Sequence, residues 1–582
     1  MDIVGWIYGQ FQTPQVQSAY FYYYMALISA FALSIVLSNA EIRELVSRIS
    51  MKSYLKLAII LLAFLIIELA FVKPTHLLYN DEYIYTSIAK MMLTEHLAAV
   101  CSFSNSTSCV PGTAGFIHQP LGWSFLLSIP SAVMEVNFAV AYTMEVIFAM
   151  LAVVFLFYTT YMLLENENIA LLSGAILAFT PLFMRYAMSS VLDIPALAFL
   201  LISSFLLFGY MKTKSLKIGI ATILSIAYML SIKVDMVFAI AVMLAIILFD
   251  RNSFEGEGAR RDLRNFLLLF AICAIISIPD ILYVVAATQV SFGAPTGQPN
   301  FGLKYFEGNF VPNVLFWFGR YDSVYISEFN SYYYDEFPLT FTALAIVGSA
   351  ILLLRKKYRE LAIIVSWFLI VFMFYTTYYA GSVNYGVGDD VRYFLSAFPP
   401  IAIAASYGFM SIFDYLGSKH GARKGKKRIL QIVLLVALFV EPFWLFANYV
   451  TIPPLHLYPF AAERYDEALI MANYQQIPTN CYVLTFKPPL WYILNRGNMY
   501  AGWISNSSDL SKLLNMSKGC LYFDYSISCY INWTGPPNTQ QQCNQVMKTF
   551  NMYPIAETHL DNYSWNVSLY LYKITGLNKT SS

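Results

Sequence analysis

The sequence predicts an α-helical polytopic membrane protein of about 12 transmembrane helices, followed by a small α/β domain held outside the bilayer. Three observations carry this. Of 582 residues, 58% are hydrophobic and only 12% charged, where a soluble domain carries roughly 25% charge. The apolar residues arrive in runs matching a hydrocarbon core roughly 30 Å thick. After the last run, helix-like and strand-like segments alternate at shorter spacing.

Apolar runs bounded by charge or by Gly/Pro clusters predict spans over 18–38, 57–72, 137–163, 169–186, 191–211, 218–232, 234–249, 265–287, 338–354, 361–380, 394–413 and 429–449. The short runs 218–232 and 234–249 meet at Lys233 and also fit one kinked or re-entrant element. Lys and Arg cluster in 39–56, 212–217, 250–264, 355–359 and 414–428. Short basic loops stay cytoplasmic, and twelve spans place all five on one side. The segments 73–136, 288–337, 381–393 and 450–582 then face outward with both termini. This divides the chain into a transmembrane part, 1–449, with outer loops 73–136 and 288–337, and an extracytoplasmic α/β domain, 450–582.

Two signals agree with that sidedness. N-x-S/T sequons at Asn105, Asn506, Asn515, Asn532, Asn562, Asn566 and Asn578 all lie in the first outer loop or the tail. So do six of the seven cysteines. Cys101 and Cys109 are spaced to close a small loop, and Cys481, Cys520, Cys529 and Cys543 form an even set, as an oxidising compartment permits. Cys273 falls mid-span, where it reads as packing. Residues 1–17 lack the basic start of a cleavable signal, so the first span is expected to remain as an anchor. In the tail, Ala462 to Tyr474 reads as a helix, Cys481 to Phe486 and Cys520 to Tyr525 as strands, and Trp565 to Tyr572 as a β-rich end.

Net charge is +1, with no basic stripe, which argues against nucleic acid. No Walker loop, H-E-x-x-H, CxxC or G-x-S-x-G is present. The six scattered histidines argue against zinc or haem, and no motif requires a cofactor. Tyrosine runs such as Tyr20 to Tyr24 read mainly as interfacial belt, and the stretch Gly122 to Pro130 as a segment lying at the interface.

Charges retained in or beside spans need a reason. On this topology they gather at the outer ends. Asp81 and Glu82 follow span two; two carboxylates from one loop can divide labour, one accepting a proton while the other holds the acceptor or a cation. Arg392 precedes span eleven with Asp389 and Asp390, and a permanently charged fork there suits a phosphate at headgroup level. Lys233 and Arg185 are alternative phosphate ligands, or partners of Asp235 and Asp193. His118 either donates a hydrogen bond to the phosphate or is a satisfied polar residue. Asp280 and Glu441 are assigned no role.

The order HLLYNDEYIYTSIAKMML (76–93), HQPLGWSFLLSIP (118–130), RYAMSSVLDIPALAFLL (185–201) and VRYFLSAFPPIAIAA (391–405) resembles superfamily C glycosyltransferases over roughly 57–413. Within them it is most similar to the protein O-mannosyltransferase and lipid A aminoarabinose transferase group. The resemblance implies transfer of a sugar from a polyprenyl-phosphate donor to an acceptor hydroxyl on the outer side, usually with inversion. Asp81 would be the general base and Glu82 would help position acceptor or base. Asp193 would support the sugar site and Arg392 would bind the donor phosphate. The acceptor class, whether protein, lipid or glycan, stays open, and family members differ in whether a divalent cation assists. Where the aminoarabinose enzymes have a lysine before a double proline, this chain has His118-Gln119-Pro120. It also has an extra amino-terminal span and no WWDYG-like sequence, which argues against an oligosaccharyltransferase catalytic subunit. A secondary transporter would instead show internal repeats and midplane charges; a noncatalytic assembly subunit would lack a charged cavity.

Overall fold

The computed structural model describes residues 6, 9–76, 80–115, 121–250, 259–287, 301–319, 337–379, 381–382, 389–419, 424–451, 461–503, 517–530, 539–562 and 565–578. Among them, six helices are long and apolar enough to cross a membrane: Pro14–Leu37, Met51–Phe71, Phe138–Leu164, Asp193–Thr213, Tyr358–Thr376 and the stretch Val391–Leu416. Glu167–Ala178 and Pro181–Ala187 form a seventh, bent by 64°, because Pro181 cannot continue the preceding ladder of hydrogen bonds. Five shorter apolar helices, Leu216–Ile232, Val234–Phe249, Arg264–Ile276, Leu339–Leu354 and Ile432–Ala447, complete twelve at the positions expected. The chain is a multi-pass helical membrane protein.

Burial separates lipid-facing from central helices. Asp193–Thr213 is buried along its whole apolar window, whereas Met51–Phe71 is mostly exposed, as hydrocarbon contact allows. Close crossings depend on small residues: a Cβ on Gly348 would lie 1.9 Å from the Ala404 carbonyl oxygen of the neighbouring helix. Between Leu216–Ile232 and the following 3-10 turn Val234–Val237, Lys233 has extended backbone. The two short runs are therefore separate elements meeting at a break.

The amino-terminal helix is pinned by polar contacts. Tyr23 and Tyr24 donate hydroxyls to the two oxygens of Asp280 at 2.9 and 2.8 Å, Ser231 donates to it at 2.7 Å, and Tyr20 donates to the Pro279 carbonyl at 2.5 Å. These tyrosines are internal anchors and not a lipid-interface belt, because the buried Asp280 carboxyl needs donors. A second expectation changes likewise. Helix Gly122–Ser131 packs inward with Trp123 fully buried, and Gly122 sits so near helix Leu216–Ile232 that a Cβ would meet the Ser231 carbonyl oxygen at 2.6 Å.

Among the described residues, Lys217 pairs with Glu41, Lys212 with Glu165 and Arg359 with Asp250 at one end of the bundle, drawing on the basic loops 39–56, 212–217 and 355–359. The other end carries a six-stranded mixed sheet. Its strands are β2 (Phe103–Ser104), β4 (Tyr482–Thr485), β5 (Gly497–Tyr500), β6 (Leu521–Tyr525), β7 (Phe550–Asn562) and β8 (Trp565–Leu577), in the order β2-β5-β4-β6-β8-β7. β4 runs parallel to β5 and β6, and the other pairs are antiparallel. β2 comes from the first long loop, so the sheet joins both ends of the sequence; a small separate pair, β1 (Val100–Cys101) with β3 (Ala114–Gly115), lies beside it. Helix Ala461–Asn473 occupies the helix-like stretch of the tail. Disulfides link Cys101 with Cys109, Cys481 with Cys520, and Cys529 with Cys543; Cys273 is buried and free.

Candidate active site

The site is built around helix Asn80–Thr94, which lies at the sheet-bearing end and is buried from Glu82 to Met92. Its first turn holds both acidic residues, where the unsatisfied N–H groups of a helix start favour negative charge. Asp81 remains partly exposed, whereas Glu82 is fully buried. Glu82 Oε2 accepts a 2.9 Å hydrogen bond from the backbone N–H of Ser190. That bond fastens the helix to the segment between Pro181–Ala187 and Asp193–Thr213. Glu82 thus faces that segment rather than bulk solvent.

Asp193 opens its helix and points a carboxylate oxygen at Lys233 Nζ, 2.8 Å away. Lys233 also pairs with Asp235 at 3.1 Å, and Tyr375 donates its hydroxyl to the same Asp235 oxygen at 2.8 Å. One buried ammonium therefore serves two carboxylates, which compensates its desolvation and leaves it less charge for an incoming anion. Lys233 sits 4.8 Å from the ring centroid of Tyr393, which stacks on Tyr375 at 5.0 Å. The Arg392 guanidinium lies 5.1 Å from that same Tyr393 ring, a cation–π distance. Arg392 stands on the 3-10 segment Asp389–Ala397 and is half-buried.

Tyr85 ties these elements together. It is one helical turn beyond Asp81 and fully buried. Burial holds its hydroxyl well above the ordinary phenol range; Asp81 raises it further, Arg392 opposes, and Asp193 and Glu82 add to the rise. It therefore remains a neutral donor within electrostatic reach of four charged side chains from three separate elements. Sequence reasoning missed Tyr85, although the i, i+4 spacing from Asp81 signals a shared face. It also missed Tyr375, Ser190, and two carboxyls inside spans, Glu68 and Glu145, whose placement in apolar helices is itself a signal. Both are fully buried, and among the described residues none of their oxygens has a hydrogen-bond partner. Glu145 lies within electrostatic reach of Glu82 and Asp193.

The remaining expectations fall as follows. Arg185 is buried on the short helix Pro181–Ala187. His118 lies outside the described residues, as do the side chains of Asp389 and Asp390. Glu441 accepts bonds from the backbone N–H groups of Leu339 and Thr340 at 2.9 and 2.7 Å, capping the helix Leu339–Leu354. Among the described residues, no group of three or more His, Cys, Asp or Glu side chains is arranged to hold a metal.

Comparison with known proteins bears on this arrangement. Residues 118–293 match the family model described as dolichyl-phosphate-mannose-protein mannosyltransferase. Apo ArnT from Cupriavidus metallidurans superposes with a TM-score of 0.53 at 12% identity, covering 89% of this chain and 98% of that one. The chain shares the fold of this structure. Two further structures with this fold are similar. ArnT bound to undecaprenyl phosphate gives 0.51 at 11% identity, covering 90% and 98%. The Archaeoglobus fulgidus oligosaccharyltransferase tethered to an acceptor peptide containing the NVT sequon gives 0.51 at 11%, covering 90% and 74%. No curated protein matches the chain by sequence.

Proposed function

We propose that the chain is a membrane glycosyltransferase that moves a hexosyl or pentosyl group from a polyprenyl-phosphate donor to an acceptor hydroxyl, with inversion. The sheet-bearing end is the extracytoplasmic side. The observation that carries this reading is the gathering of Asp81, Glu82, Asp193 and Arg392 about Tyr85, from elements far apart in sequence.

Leaving of the donor phosphate converts one negative charge into nearly two, so a cation fixed beside its oxygen stabilises the transition state more than the ground state. Arg392 is that cation, steadied by Tyr393. Its fork remains charged at any working pH. Lys233, shared between Asp193 and Asp235, and Arg185 are the further candidate cations, and Asp193 orders the sugar subsite by holding Lys233. Asp81, the partly exposed member of the acidic pair, takes the acceptor proton as the hydroxyl attacks the anomeric carbon. No second acid is needed, because phosphate leaves readily. The match over 118–293 and the binding of undecaprenyl phosphate by ArnT support a lipid-linked donor. The peptide on the A. fulgidus enzyme supports a protein acceptor, with lipid or glycan hydroxyls as the other classes. A transporter reading lacks support, since the charged cluster sits with the sheet at one end of the bundle.

The test is direct: the purified full chain in proteoliposomes is given polyprenyl-phosphate sugars and peptide, lipid or glycan acceptors. Transfer of label to one acceptor class is expected; absence of transfer from every polyprenyl-phosphate sugar overturns the reading.

A further inference from the structure

The helix bearing Asp81 is gripped from the C-terminal region at several points that the chemistry above does not use. Just before it, His76 is buried with Nδ1 2.8 Å from Glu467 Oε1 on helix Ala461–Asn473. The Tyr142 hydroxyl lies 3.1 Å from the imidazole nitrogens, and the ring packs edge-on against Phe138 and Tyr83 at 4.5 and 5.0 Å. Further along, Lys90 donates to the Tyr492 carbonyl at 2.5 Å and to Asn495 Oδ1 at 2.6 Å. Beside the helix, β2 pairs with β5, and Asn498 donates to Ser104 Oγ at 2.6 Å.

Charge explains why such a grip is needed. Glu82 shares its surroundings with Asp193 and Glu145, and carboxylates crowded in a low-dielectric setting repel strongly. Lys233 answers Asp193. His76 faces Glu82 and Glu467, with Arg464 also in range; burial disfavours its charged form, but the two carboxylates outweigh that and its pKa lies above the ordinary value.

We propose that the outer domain is a working part of the site: Glu467 locks the His76 ring, and the locked ring holds the first turn of helix Asn80–Thr94 so that Asp81 is aimed at the acceptor. His76 and Glu467 are positioning residues. This rests on the transferase reading.

The test uses full-length Glu467→Gln, His76→Gln and the double variant in proteoliposomes, with hydrogen–deuterium exchange over residues 80–94 as a readout independent of activity. Each single change lowers kcat about tenfold with donor KM within about twofold, the mark of a displaced reacting group rather than a lost ligand. The double loses no more than the worse single, because both remove one link. Exchange over 80–94 quickens about tenfold, as loss of a charged hydrogen bond implies. Unchanged kcat and exchange in Glu467→Gln overturn the proposal, as do losses that multiply or fall on KM alone. If neither variant folds, Tyr142→Phe, which removes one hydroxyl, carries the test; a smaller kcat loss at constant donor KM is expected, and unchanged kcat overturns it. Quickened exchange in a chain that transfers no sugar supports the grip and refutes the transferase reading; normal transfer with unaltered exchange does the reverse.

Discussion

The two ends of the helical bundle use charge in opposite ways. At the basic end, Lys212–Glu165 and Lys217–Glu41 are exposed pairs, with side chains 38% and 74%, and 58% and 23%, accessible, and among the described residues only Arg359–Asp250, at 34% and 9%, has a buried partner. At the sheet-bearing end, Lys233–Asp193 is 9% and 2% accessible, and Lys487–Asp466 is 5% and 0%. Exposed pairs are worth little and are screened by salt. Buried pairs are costly to assemble and costlier to break. The first kind adds little to the fold; the second holds elements from distant parts of the chain together.

This contrast can be broken or sharpened experimentally. The largest expected effect is Asp81→Asn, which removes the base: kcat falls by about 10²–10⁴ while donor binding and thermal unfolding stay unchanged, checked by single-turnover transfer. Wild-type turnover would place the base elsewhere. Next, Arg392→Ala lowers kcat by about 10²–10³ and also weakens donor affinity, measured by titration with polyprenyl phosphate; unaltered affinity would detach Arg392 from the phosphate.

A third effect is pH-dependent. His76 is raised above 6.5, so its contribution to stability is complete below that ordinary value and is lost as pH rises through the folded-state value. Glu467 is buried, which acts against its charge, yet His76 brings it below the ordinary 4.5; its contribution is present above 4.5 and lost as pH falls through the lowered value. Thermal melting in detergent should therefore be best between slightly acidic and neutral pH and decline on the alkaline side, with His76→Gln flattening that decline. An identical alkaline decline in the variant would assign it to groups other than His76. The smallest effect is Lys212→Gln at the basic end, for which melting and turnover are expected to match the parent; a substantial loss would show that the two ends are not so different.

Much of this was legible before any coordinates. Among the described residues, apolar helices or a bent helix pair stand at all twelve apolar runs, because a bilayer thickness and a list of charges nearly dictate them. The Asp81-Glu82 pair, Asp193, Lys233 and Arg392 were legible because span-end charges are few. What the sequence concealed is pairing. Lys90 and Tyr492 are 402 positions apart, and no local pattern announces their contact. The tyrosines Tyr20, Tyr23 and Tyr24 looked like belt residues because their partner, Asp280, is on a distant helix. Gly122 to Pro130 has the composition of an interfacial segment, and only packing against Leu216–Ile232 shows that it is interior. Pairs of this kind are properties of the folded chain.

The strand β2 has a consequence for biogenesis. Phe103–Ser104 is synthesised early, yet its partner β5 follows every span. At ordinary elongation rates the interval is on the order of tens of seconds. Throughout it, the first loop has no sheet to join and the helix bearing Asp81 lacks its hold on Tyr492. A ribosome that stalls short of β5 leaves helix Asn80–Thr94 without these partners, so its final setting would arrive only once nearly the entire polypeptide has been made and threaded.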